Sequence, residues 1–294
     1  MKTAAFLSLF AIAGATSVQA LDRIIAFADS YTDNGNDYAN SGFPPSPPYW
    51  KGRFSDGPTW LEYVADNLKG IDVINHGHGG ATTDNEHAYS EFNGYVVPGA
   101  VQQVEQSDDN GTENDLYIIS IGYNDLNGII NPDMAMNYKY TKEDVARGVL
   151  NTVKGIQKKY NGKEFLFQNV APFYHWPVIQ KDDKDRTKSL INEYNSLVES
   201  EVKKIKGIKA KFMDINSWFE EAIANPEKYG LRTDNGACDP GIGKTDVCED
   251  PEKHFYFDSY HPQAKIHKAW GEWATDYLTK AYDFGGNGKG SSSN

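Results

Sequence analysis

From Leu21 onward, short apolar runs alternate with longer stretches whose apolar residues recur at helical spacing. Five runs have the length and β-rich content of buried strands: Ile24 to Phe27, Ile71 to Ile74, Leu116 to Ile121, Phe165 to Val170 and Lys211 to Ile215. The helical stretches are Thr59 to Leu68, Lys142 to Tyr160, Lys184 to Lys206, Ser217 to Ala224 and Pro262 to Tyr282. Strand followed by helix, repeated along a chain, predicts an α/β fold in which a mostly parallel five-stranded sheet is covered on both faces, a three-layer α/β/α sandwich. In the last helix, Ile266, Ala269, Trp270, Trp273 and Tyr277 share one side and are expected to pack on the sheet. Pro262 suits the first turn of that helix, where a missing N–H costs nothing.

The chain ends carry different patterns. Lys2 precedes an apolar stretch from Ala4 to Val18 that closes on Val18-Gln19-Ala20, which predicts a secretory signal peptide over residues 1–20. Ser8, Gly14, Thr16 and Ser17 interrupt a segment already shorter than the roughly 20 residues of a bilayer span, so no integral membrane association is expected. The Gly/Ser-rich residues 285–294 read as a flexible tail. Nothing between resembles a linker, so 21–284 are expected to form a single domain and the protein to act as a monomer.

Charge narrows the partners. Lys and Arg number 29 against 41 Asp and Glu, a net charge of −12. Without a basic stripe, such a chain is a poor nucleic-acid binder. Cys238 and Cys248, the only two cysteines, flank a short Gly/Asp-rich loop, and in an oxidising compartment they are expected to form a disulfide. One glycosylation sequon, Asn110-Gly111-Thr112, falls in a polar run suited to a surface loop.

Several motifs carry no chemistry. Gly243-Lys244-Thr245 ends like a phosphate loop, but Cys238 stands where the first glycine belongs. Asp182 to Asp185 lacks the glycine and distal glutamate of a calcium loop and reads as a solvated helix entry. His76 and His78 have no third ligand at metal spacing. Residues Met134 to Tyr140 read as a loop or lid. No metal and no cofactor are expected.

Four segments together do suggest chemistry. Ser30 closes the first strand, where open α/β sheets place ligands. Asn75 to Thr83 follows the second strand, and Ile121-Gly122-Tyr123-Asn124-Asp125 the third, on the same sheet edge; a glycine N–H and an asparagine amide there are the donors an oxyanion needs. In Asp258-Ser259-Tyr260-His261 the aspartate can orient an imidazole whose other nitrogen serves as a base. Taken singly, each segment also suits a cap or a turn.

These blocks, in this order from Ile24 to the last helix, resemble the SGNH, or GDSL-like, serine esterases and lipases. The resemblance implies a flavodoxin-like SGNH hydrolase fold. It implies that Ser30 is the nucleophile, with His261 and Asp258 completing a triad, and that the Ser30 and Gly80 N–H groups and the Asn124 side chain form the oxyanion hole. Ala28 departs from the family, which usually has glycine there; alanine fits if the backbone needs no positive φ. Asp33-Asn34-Gly35-Asn36, Gly52 to Gly57, the Pro44 to Tyr49 loop and the cysteine loop resemble secreted lipase, phospholipase and carbohydrate acetylesterase members. The implied activity is hydrolysis of lipid or short-to-medium acyl esters. The aromatic residues of Phe43 to Trp50, Tyr89 to Tyr95 and Phe173 to Trp176 suit the walls of an apolar acyl groove and equally suit ordinary loop anchors. The alternatives are removal of acetyl groups from plant-type oligosaccharides and a catalytically silent binding protein on the same fold.

Overall fold

A computed structural model describes residues 20–131, 139–233, 236–238 and 241–285. The expected signal segment, apart from Ala20, and the tail beyond Gly285 lie outside those residues, as does most of the segment beginning at Met134. Strands β1 (Arg23–Ala28), β2 (Asp72–Asn75), β5 (Leu116–Ser120), β6 (Glu164–Gln168) and β7 (Lys209–Met213) form one sheet in the order β2-β1-β5-β6-β7, every pairing parallel. Two further strands, β3 (Glu91–Phe92) and β4 (Tyr95–Val96), make a small antiparallel hairpin. The helices are α1 (Asn36–Ser41), α2 (Trp60–Asn67), α3 (Ala100–Gln106), α4 (Tyr123–Ile130), α5 (Lys142–Tyr160), α6 (Lys184–Val202), α7 (Ile215–Ala224) and α8 (Ala264–Ala281).

Alternation along the strands builds two cores. Ile24 and Ala26 of β1, with Leu116 and Ile118 of β5, face Trp60 and Val64 of α2, Phe219 of α7 and Ile266 and Trp270 of α8. On the other side Ile25 and Phe27, with Tyr117 and Ile119, meet Val104 of α3 and Val149, Val153 and Ile156 of α5. Trp60 and Trp270 stack with ring centroids 4.9 Å apart, fastening α8 to α2. The predicted three-layer sandwich is therefore present, and all five of its strands are parallel. Among the described residues, no helix is long and apolar enough to cross a membrane.

Some expectations change in detail: the strand expected over Lys211 to Ile215 is Lys209–Met213, and Ile215 opens α7. Pro262 does not open the last helix; it pairs with Tyr256 in an isolated antiparallel bridge, and Gln263 caps α8 by accepting the Lys265 N–H. The helical pattern from Lys184 to Lys206 stops at Val202. The short helices α1, α3 and α4 and the β3–β4 hairpin were not evident from periodicity. Their importance is local: Gln103 of α3 accepts from the Ala28 N–H and donates to the Ala28 carbonyl, tying off the end of β1. Ala28 itself is fully buried, pairs with Ser120 and is not a positive-φ residue, so alanine fits there without strain.

Candidate active site

Beyond Ala28 the chain turns sharply, the N–H groups of Thr32 and Asp33 both donating to the Asp29 carbonyl. Ser30 sits in that turn, 7% exposed. It is not a helix cap, because α1 begins six residues later behind Gly35. The opposite wall comes from the segment before α8. Phe257 N–H donates to the His261 carbonyl across a tight loop, and this closure brings Asp258 and His261 together.

The Ser30 hydroxyl lies 2.8 Å from His261 Nε2. Nδ1 of the same ring lies 2.9 and 2.8 Å from the two oxygens of Asp258. With Nδ1 donating to the carboxylate, Nε2 is left to accept the serine proton. Asp258 is fully buried and further held by the N–H groups of Tyr260 and His261, each at 2.8 Å, and by the Tyr49 hydroxyl at 2.8 Å. The imidazole is flanked by Phe54, with centroids 5.2 Å apart, and by Tyr31 at 5.8 Å. Behind it His267 is buried against Trp270; burial, and then the neighbouring His261, press its pKa down to about 3, so it adds no charge near neutral pH.

Gly80 and Asn124 stand on the same edge. After β2, the N–H groups of His76 and His78 continue the ladder to Ala26 and Ala28, and Gly80 follows at φ +75. Asn124 lies in the first turn of α4, entered through Gly122 at φ +124, and its amide donates to the Ala81 carbonyl at 2.8 Å. Ser30, Gly80 and Asn124 thus follow three adjacent strands, β1, β2 and β5. Asp125, next to Asn124, grips the same segment: it accepts the Thr83 N–H and hydroxyl and pairs with buried His87 at 2.7 Å.

Sequence reasoning missed a buried acidic layer beneath this edge. Asp33 accepts the N–H groups of Gly35, Asn36 and Asp37 from its own turn and that of Gly79, at 2.9 Å, from the neighbouring segment. Burial raises it to about 6. Asp37 is also fully buried, and neither of its side-chain oxygens has a partner in hydrogen-bond geometry. Burial, and then the charge of Asp33, push it up to about 9. Burial likewise holds Asp29 well above the usual carboxylate range. Tyr49 and Phe54 were given no role of their own, although the Pro44 to Tyr49 loop and the Gly52 to Gly57 block were singled out, because their partners lie some two hundred positions away.

Other expected positions are resolved as follows. Cys238 and Cys248 are disulfide-bonded. Asn110 is exposed, at φ +52. His76 pairs with Asp109 at 2.6 Å, and His78 Nδ1 approaches the His76 carbonyl at 2.8 Å. Tyr140, at the end of the expected lid, is buried and donates to the Asp125 carbonyl. Cys248, Asp250 and His254 converge at ligand spacing, but the Cys248 sulfur is committed to the disulfide.

A fold of this class with a serine, histidine and aspartate in line belongs to a recognisable group of enzymes. A model of the GDSL-like Lipase/Acylhydrolase family matches residues 24–274, and the chain belongs to that family; it is a carboxylic ester hydrolase. It is similar to the phosphatidylcholine-sterol acyltransferase of Aeromonas hydrophila, 27% identical over 87% of this chain and 77% of that protein. A GDSL esterase/lipase of Arabidopsis thaliana is 23% identical over 92% of this chain and 94% of its own. Among solved structures, a carbohydrate acetylesterase from Sinorhizobium meliloti matches with a TM-score of 0.53 at 14% identity, covering 88% of this chain and 99% of that one, which supports the shared fold.

Proposed function

We propose that the protein is a secreted serine esterase or lipase that cleaves apolar acyl esters through a covalent acyl-enzyme on Ser30. The observation that carries this reading is the unbroken line from Ser30 Oγ through His261 to buried Asp258, each step within 2.9 Å. As Oγ attacks the ester carbonyl carbon, His261 Nε2 takes its proton, and Asp258 steadies the imidazolium. The negative charge developing on the carbonyl oxygen is met by the Ser30 and Gly80 N–H groups and the Asn124 amide. His261 then returns the proton to the departing alcohol, and water repeats the sequence in reverse to free the acid and Ser30.

The acyl side is read as apolar because aromatic rings crowd the oxyanion corner. Phe43 stacks on Phe92 of the hairpin at 4.5 Å and lies tilted against Phe54 at 5.9 Å, and the rings of Phe54 and Phe92 adjoin Gly79 and Gly80. Secretion is supported by the disulfide and by the leader pattern of residues 1–20, and the exposed Asn110 suits a glycan. A triad joining positions 231 apart supports one domain over 21–284.

A fluorophosphonate probe tests the nucleophile: Ser30 should carry the adduct, and Ser30→Ala should lose at least about 10³-fold in kcat while keeping its fold. Labelling elsewhere, or near-normal turnover by the variant, would refute the assignment. Rates on acetyl, butyryl and octanoyl nitrophenyl esters test the acyl side, and a collapse beyond acetyl would favour an acetylesterase on sugars instead.

A further inference from the structure

The aspartate of the proposed triad is itself held by a residue outside the three. Asp258 is fully buried: Oδ1 takes the backbone N–H groups of Tyr260 and His261, Oδ2 takes the Tyr49 hydroxyl, and His261 Nδ1 lies within reach of both oxygens, at 2.9 and 2.8 Å. Without Tyr49, Oδ2 would keep only the imidazole in a site with no access to water. Tyr49 is fully buried, with its ring edge-on to Phe257 at 5.0 Å, so the hydroxyl is delivered by a packed side chain.

The Tyr49 oxygen also accepts the N–H of Gly243 at 2.9 Å. An oxygen that accepts a hydrogen bond donates a stronger one, so the Gly243 N–H sharpens the bond to Asp258. Gly243 sits at φ +71 between Cys238 and Cys248, and a Cβ there would meet the Phe43 ring at 2.5 Å. The disulfide closes the loop that presents this N–H. A continuous path therefore runs from the cysteine loop through Gly243, Tyr49 and Asp258 to His261.

We infer that Tyr49 is a positioning residue for the ester hydrolysis, fixing the Asp258 carboxylate under control of the disulfide loop. The inference rests on the triad proposed above. It concerns the addition stage of each half-reaction, when the imidazolium forms and the carboxylate must already face it. A carboxylate relieved of the Tyr49 donor concentrates more negative charge on His261 and favours the protonated ring. The other titratable groups around that ring are Ser30 and Tyr31 from the β1 turn, Tyr260 from its own loop and His267 from α8; burial keeps Tyr31 and Tyr260 neutral and His267 uncharged, so Asp258 dominates the field there.

The test compares the wild-type protein with Tyr49→Phe on nitrophenyl acetate across pH, alongside fluorophosphonate labelling and thermal melting. Expected is a fall in kcat of about 10-fold or more with little change in KM, because a carboxylate released from the Tyr49 hydroxyl no longer holds His261 in the orientation that the proton transfer after binding requires. The acidic limb of kcat/KM should move to higher pH, a change that loss of packing alone would not produce. The Cys238→Ser/Cys248→Ser double variant should move the limb in the same direction by a smaller amount, and should add nothing further when combined with Tyr49→Phe. This second variant also serves if Tyr49→Phe fails to fold. If Ser30 labels normally but the limb stays in place, or if KM rises while kcat holds, the inference about Tyr49 is overturned and the triad stands. If wild-type Ser30 does not label, the triad reading fails and this one falls with it.

Discussion

Asp37 offers a test of the electrostatics under the active-site edge. Its side chain is fully buried without a hydrogen-bond partner, and burial followed by the charge of Asp33 raises it from the ordinary 3.8 to about 9. Between those two pH values the folded chain holds a proton that the unfolded chain has released. The unfolded state binds fewer protons, so stability must fall as pH rises, by about 1.4 kcal/mol per unit for one group. The contribution is fully present below about pH 3.8 and is lost progressively towards pH 9. At pH 7 the accumulated loss is bounded at about 4 kcal/mol, from roughly three units at that slope. Asp37→Asn keeps the shape of the protonated acid, removes the titration and places an amide beside the Asp33 carboxylate. Urea unfolding at pH 4.5, 6.0 and 7.5 should find the variant close to wild type at the lowest pH. It should be increasingly more stable above it, by about 2–4 kcal/mol at neutrality. A stability difference independent of pH, or a variant weaker than wild type at pH 7.5, would refute the reasoning.

Two further substitutions probe the oxyanion corner. In Gly79→Ala the new Cβ would lie 1.9 Å from Phe54 Cε2, and Phe54 is 1% exposed, so the ring must leave the face of His261. Overpacking of this kind costs about 1–3 kcal/mol, to be read by denaturant unfolding, and Phe54→Leu in the same chain should recover part of the loss. Asn124→Ala should lower kcat by about 10²–10³-fold with KM nearly unchanged, measured on nitrophenyl butyrate; an equal loss from KM instead would place the amide in substrate binding rather than on the developing charge.

The centre of the sheet could be read from the sequence because β1, β5 and β6 are buried on both faces and so carry nearly unbroken apolar runs, whereas the edge strands β2 and β7 are half-buried and more polar. Leu116–Ser120 is the clearest, buried throughout. The long helices with one apolar side, such as Lys142–Tyr160, were equally visible. The helix Asn36–Ser41 was not, because six mostly polar residues carry no period and its position is set by Asp33 taking N–H groups from its first turn. Helix Tyr123–Ile130 was hidden because its start coincides with the Gly-x-Asn-Asp block, which reads as a turn. In the site, Ser30, Asp258 and His261 were legible because short motifs carry them at ends of predicted elements. Tyr49 was not, since it lies among prolines with its partner 209 positions away, and only folding brings a phenol to that carboxylate.

The parallel order of the sheet also sets a timetable for the working protein. Ser30 follows β1 and is synthesised more than two hundred residues before His261, which precedes α8; that helix must dock on α2 before the imidazole can stand at the serine. Throughout synthesis the hydroxyl is present without a base. On the proposed mechanism, a nascent chain that has not yet made and docked α8 is inert towards the esters of the cell that makes it.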